Sequence, residues 1–112
     1  MSNDGALETI AFTLRLRGSP DEYRRRHDEI WPEMEVALRA AGVIEYEIYL
    51  APDGATLFAW MRRRREHQLV EMRSLEVWRR WQAHMADLLD TDGIGPVRTD
   101  LARMFLLRQH VD

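Results

Sequence analysis

Apolar residues recur along this 112-residue chain with two different periods, and the order in which the periods alternate leaves few folds open. Ile10, Phe12, Leu14 and Leu16 alternate with Ala11, Thr13 and Arg15, the period of a half-buried strand over about residues 7–17. Ser19-Pro20-Asp21-Glu22 follows, with serine at N-cap, proline at N1 and glutamate at N3, a capping box that starts a helix. The helix runs towards Ala41, where Gly42 is a natural stop. Pro32 lies inside that span; it lacks an N–H and disfavours a helical Trp31, so it must kink the helix or restart it. Val43–Leu50 reads as a second strand, Ala51-Pro52-Asp53-Gly54 as a type I turn and Thr56–Met61 as a third strand, so residues 43–62 form a hairpin. Residues 66–73 fit a short helical turn. Ser74 can cap a second long helix whose apolar stripe is Val77, Trp78, Trp81, Met85 and Leu88. Asp90–Pro96 is a turn-rich loop, and Leu101–Leu107 reads as a final strand.

The order β-α-β-β-α-β is that of a ferredoxin-like α+β domain, here a single domain over residues 1–112. An antiparallel four-stranded sheet would carry both helices on one face. The strands are nonetheless apolar on both sides. Ile44, Tyr46, Ile48 and Leu50 fall on one side of strand 2, with Val43 and Tyr49 on the other. In strand 3, Phe58 and Trp60 oppose Leu57, Ala59 and Met61. No third layer remains in the chain to cover the second face, so a homodimer with packed sheets is expected.

Composition closes several routes to function. The chain has no cysteine, which removes disulfides, zinc–thiolate sites and thiol nucleophiles and suits a reducing, cytoplasmic setting. It also has no lysine, so all 16 basic residues are arginine and Schiff-base chemistry is closed. A net charge of −3 argues against nucleic acid as a partner. No apolar run approaches a membrane span, and Met1–Gly5 carries no cationic-then-apolar targeting pattern. The run Arg62–Arg65 reads as a solvated strand end or an edge defence.

Four histidines are the candidates for proton transfer near neutral pH. His27 lies one helical turn after Tyr23, on the same face, and Ile30, Trp31 and Met34 continue near that face. The ordinary alternative is a half-buried histidine with a satisfied hydrogen bond. His67, His84 and His110 read as surface residues, and none is spaced with carboxylates as a metal site would be. The tryptophans and tyrosines are numerous for the length. Trp78 and Trp81 would crowd each other if both were deep, so the aromatics divide between packing and a platform for the flat C–H face of a sugar.

The string Tyr23-Arg24-Arg25-Arg26-His27-Asp28-Glu29-Ile30-Trp31-Pro32-Glu33 resembles the signature of the L-rhamnose mutarotase family. Gly42-Val43-Ile44-Glu45-Tyr46-Glu47-Ile48-Tyr49-Leu50 is similar to the family's second strand. Leu57-Phe58-Ala59, Val77 through Arg80-Trp81 with Met85, and Pro96-Val97 through Phe105-Leu106 follow in order. The resemblance implies a dimeric α+β barrel of ferredoxin-like protomers. It implies an isomerase that interconverts the α and β anomers of L-rhamnose without a metal or other cofactor. It further implies His27 as proton donor, with Tyr23 and Tyr46 contacting the sugar. The family's sugar-binding tryptophan pair falls on Trp81 and Gln82, so the second indole is replaced here by an amide that can bond a hydroxyl but cannot stack.

Anomer exchange opens and recloses a pyranose ring. The ring oxygen gains a proton, the anomeric hydroxyl loses one, and no redox step occurs. On the family reading His27, as imidazolium, protonates the ring oxygen, and a tyrosine hydroxyl or water relays the other proton. Two rival readings are a cofactor-free monooxygenase of the same small-barrel type and a sugar-binding module without catalysis.

Overall fold

Ser19 starts the first helix as its sequence position requires. The computed structural model of the chain describes residues 6–93 and 95–108; Met1–Gly5 and His110 lie outside them. The described elements run β1 (Leu7–Arg15), α1 (Pro20–Asp28), α2 (Pro32–Ala40), β2 (Val43–Leu50), β3 (Thr56–Arg64), α3 (Leu69–Met72), α4 (Glu76–Met85) and β4 (Arg98–Leu101). The Ser19 hydroxyl accepts from the Glu22 N–H at 3.3 Å, but only this half of the capping box forms. The Glu22 carboxylate turns instead to Arg25 and Arg26, at 2.6 and 2.7 Å. Pro32 restarts the helix. Trp31 takes an extended conformation before it, and α2 begins with the proline at its first turn. Gly42 ends α2 at φ +113°, a backbone conformation that side-chain-bearing residues rarely adopt.

The strands form an antiparallel sheet in the order β2-β3-β1-β4. Register sets Phe12 opposite Ala59 and Leu14 opposite Leu57, and these four are buried. Directly opposed residues share a face, so Tyr46, Ile48 and Leu50 join them through Met61, Ala59 and Leu57. Met34 and Ala37 of α2, Trp81 and Met85 of α4, and Tyr23 of α1 close the core over that face. The outer face carries Tyr49, Phe58 and Leu101, exposed by 58%, 44% and 43% in the single chain.

Four local expectations are corrected. Ser74 does not cap the long helix. Its hydroxyl donates to the Glu71 carbonyl at 2.8 Å, because the short α3 leaves that carbonyl open close by, and α4 starts one residue later from Leu75. The final strand covers Arg98–Leu101 rather than Leu101–Leu107. Beyond Leu101 no layer of this chain buries either side of the segment, and Met104, Phe105 and Leu107 are 91%, 79% and 81% exposed. A register shift between Val43 and Glu45 breaks the alternation of β2, so Val43 is buried while Ile44 is exposed. Of the two readings of Arg62–Arg65, the solvated strand end holds, with Arg62, Arg64 and Arg65 exposed at the end of β3, and the edge defence does not, since β3 is an interior strand; Arg63 pairs with its cross-strand neighbour Glu8 at 2.8 Å and Arg62 with Glu45 at 3.3 Å.

Candidate active site

A cleft of about 940 Å³ opens between the helices and the inner face of the sheet, and Tyr23, His27, Tyr46, Trp81 and Gln82 all line it. Three elements converge on it. The Ser19 cap sets the phase of α1, which places Tyr23 and His27 one turn apart, with their rings 4.4 Å apart between centroids. From α4, Trp81 meets the His27 ring edge-on at 5.6 Å. Trp31, turned outward from the helix path by Pro32, packs edge-on against Trp81 at 5.2 Å. Tyr46 projects from β2 with its ring 6.4 Å from Phe12.

His27 Nδ1 lies 3.1 Å from the Tyr23 carbonyl oxygen. A carbonyl only accepts, so Nδ1 carries the proton and Nε2 holds the lone pair. Burial lowers the imidazole below its ordinary 6.5, against the smaller upward pull of that carbonyl and of the Asp28 charge. The neutral ring is therefore favoured near neutral pH, with Nε2 as a proton acceptor. Burial pushes both phenols the other way. Tyr23 is raised first by desolvation and then by the Tyr46 charge. Tyr46 exposes 38% of its surface to the cleft, yet it is crowded enough that desolvation lifts it to about 12, with the Arg98 guanidinium pulling it back down. Both tyrosines hold their protons and can donate to a ligand.

Gln82 is half-buried and makes no side-chain hydrogen bond among the described residues, so its amide is open to the cleft. Trp78, a turn earlier, is also half-buried at the cleft wall. A methyl group at Gly95 would come within 3.3 Å of the Trp78 indole, so the loop before β4 packs directly on that ring. Of the remaining histidines, His67 accepts from the Leu69 N–H at 3.2 Å at the start of α3. His84 is exposed but stacks on Trp31 and Trp81, at 5.4 and 5.6 Å. No cluster of three or more metal-ligating side chains occurs among the described residues.

Two residues escaped the reading of the sequence. Arg26 binds Glu22 on its own helix, both carboxylate oxygens of Asp87 at 2.7 and 3.1 Å, and the His84 carbonyl at 2.6 Å. It clamps α1 to the C-terminal end of α4, one residue away from His27. Arg98 lines the cleft with its guanidinium 4.5 Å over the Phe12 ring. The only signal for Arg26 was its place in an arginine triplet, and for Arg98 there was none.

Comparison with known proteins bears on the family and the fold. The L-rhamnose mutarotase family model matches residues 9–107. An L-rhamnose mutarotase from Burkholderia orbicola is 52% identical over 103 residues, covering 90% of this chain and 99% of its own. The crystal structure of an L-rhamnose mutarotase from Formosa agariphila superposes with a TM-score of 0.80 at 31% identity, over 90% of this chain and 99% of that one. A Nitrosomonas europaea protein named as a candidate antibiotic biosynthesis monooxygenase superposes at 0.54 with 12% identity, over 90% and 91% of the two chains. At that distance it shares the fold alone.

Proposed function

The chain belongs to the L-rhamnose mutarotase family, and on that footing we propose that its cleft interconverts the α and β anomers of L-rhamnose or a closely related sugar, with His27 moving the proton at the anomeric hydroxyl. The observation that carries the reading is the Nδ1 bond of His27 to the Tyr23 carbonyl. It fixes one tautomer and leaves Nε2, on a ring that lines the cleft, as the working nitrogen. Nε2 takes the proton of the anomeric hydroxyl, the bond from C1 to the ring oxygen breaks and an aldehyde forms. After the carbonyl turns, the ring closes on its other face and His27 returns the proton. The imidazolium form therefore acts as donor in the closing half of the cycle. Burial favours the neutral ring as the starting form, so this reading starts from the base rather than from the imidazolium donor that the family resemblance implies.

Tyr23, Tyr46 and Gln82 supply hydrogen bonds to sugar hydroxyls, and Trp81 supplies an apolar wall. An amide at position 82 favours a hydroxyl where an indole would favour a C–H face. The outer sheet face, together with the exposed apolar segment from Arg103 to Leu107, fits a second copy of the chain, giving a homodimer. A cytoplasmic location fits a chain without cysteine, in which no described helix is long and apolar enough to cross a membrane.

Saturation-transfer NMR of L-rhamnose tests the reaction. The protein is expected to speed exchange between the anomeric signals above the spontaneous rate, and His27→Ala to lose roughly 10²-fold or more of that acceleration. Binding of the sugar without faster exchange would make the cleft a binding module, and full exchange by the His27 variant would remove His27 from the chemistry.

A further inference from the structure

The sheet wall of the cleft is apolar along most of its length. One row holds Leu14, Leu57 and Leu50, and the next holds Phe12, Ala59 and Ile48. Tyr46 interrupts the wall on β2. On the opposite edge, Arg98 pairs with Leu14 across β1 and β4, and opposed residues share a face, so Arg98 also projects to the helix side. Its guanidinium carbon sits 4.5 Å over the Phe12 ring, whose other neighbour is the Tyr46 ring at 6.4 Å. Asp100 holds the Arg98 Nε at 3.0 Å and fixes the approach. Phe12 is thus flanked by a phenol and a cation, and both of these line the cleft. Tyr23, the other phenol, has no such support: burial and the Tyr46 charge both act against its ionisation.

Ring opening needs two proton partners, and His27 is one. We infer that Tyr46 is the acid that protonates the ring oxygen as it leaves C1, and that Arg98 is a positioning residue that steadies the negative charge on Tyr46 when it does so. The inference rests on the mutarotase reading of the cleft. In the opening step the anomeric O–H proton passes to His27 Nε2 and C1 becomes an aldehyde carbon. The electron pair of the broken C1–O bond stays on the ring oxygen, which takes the Tyr46 proton. An alkoxide is a stronger base than a phenolate, so this transfer runs downhill. Tyr46 is left as phenolate in the field of the guanidinium, which sits against the same Phe12 ring. Closure on the other face of the carbonyl reverses each transfer, and both side chains return to their starting forms. A cation fixed before the reaction costs no reorganisation when the charge appears.

The experiment measures kcat and KM for L-rhamnose exchange in wild-type protein, Tyr46→Phe, Arg98→Gln, Arg98→Lys and the double variant Y46F/R98Q, with circular dichroism to check the fold. Tyr46→Phe is expected to lower kcat by about 10²-fold. Arg98→Gln should lower kcat by about tenfold, less than the loss of a donor in direct contact, and leave KM within a factor of about two. Arg98→Lys, which keeps the charge, should recover most of that loss. Because Arg98 acts through Tyr46, the double variant should be no slower than Tyr46→Phe. Multiplying losses in the double variant overturn the inference, as does a higher KM at unchanged kcat in Arg98→Gln, which would make Arg98 a binding residue. Tyr46→Phe at wild-type kcat overturns it as well. These outcomes leave wild-type exchange intact, whereas wild-type protein that does not speed exchange overturns the mutarotase reading itself.

Discussion

His27 and Tyr23 were legible as a pair because helix geometry puts residues four apart on one face, and a capping serine set the phase of that helix. Which nitrogen is tied and how deeply the ring is buried were not legible. Burial lowers the His27 pKa below 6.5, so neutral Nε2 dominates above that value and is lost as pH falls through the lowered pKa. The profile of kcat/KM against pH is expected to show an acid limb with its midpoint below 6.5, absent from the residual rate of His27→Ala. A rate that instead declines from acid to neutral pH would make the imidazolium the starting form. Stability follows the same sign: the unfolded chain binds the proton more readily, so acidification below 6.5 weakens the fold through this group. Gln82 was legible as a departure from the family pattern, but the open state of its amide depends on which neighbours fail to reach it. Arg98 was invisible, because one arginine in a short edge strand declares neither its face nor its partner.

The strands and helices were readable wherever one face is apolar and one polar. The restart at Pro32 and the stop at Gly42 followed from backbone chemistry alone. Ser74 misled because a hydroxyl close to two helix ends serves whichever open group is nearer, and that is set by the length of α3. How α1 sits on α4 was not written in either helix's period. It depends on Arg26, whose guanidinium reaches a carbonyl and a carboxylate at the end of α4, where a cation meets the negative end of the helix dipole. Arg26→Ala leaves Glu22 and Asp87 without this partner and lets α1 shift with His27 on it. A displacement of about 1 Å at a reacting group can cost up to roughly 10²-fold in rate. The expected result is a clear fall in kcat with a smaller change in KM, together with a lower melting temperature. A variant with wild-type kcat would show that the core residues of α1, Tyr23 foremost, hold the helix without the clamp.

For the molecule as a whole, the topology and the single helical layer could be read from the alternation of periods, while the end of the last strand could not. The residues from Arg103 to Leu107 have strand-like composition, but within one chain they have no layer to bury them. A second copy supplies that layer if it packs against the outer face carrying Tyr49, Phe58 and Leu101. Sedimentation at micromolar concentration should give about twice the 13.3 kDa chain mass, and Phe58→Glu, which sets a charge in the middle of that face, should shift the species towards one chain. A compact, fully active monomer would show that the outer face is left to water. The sheet order has a further consequence, for the birth of the protein. β1 is made before the other strands and yet lies inside the sheet, with one of its two neighbours, β4, made after all of them. Until β4 has emerged, β1 can pair with β3 but keeps one edge open. Its sheet is completed only once β4 has been made, so the nascent chain carries an adhesive edge while everything between the two strands is synthesised, at the stage when folding intermediates are most prone to aggregate.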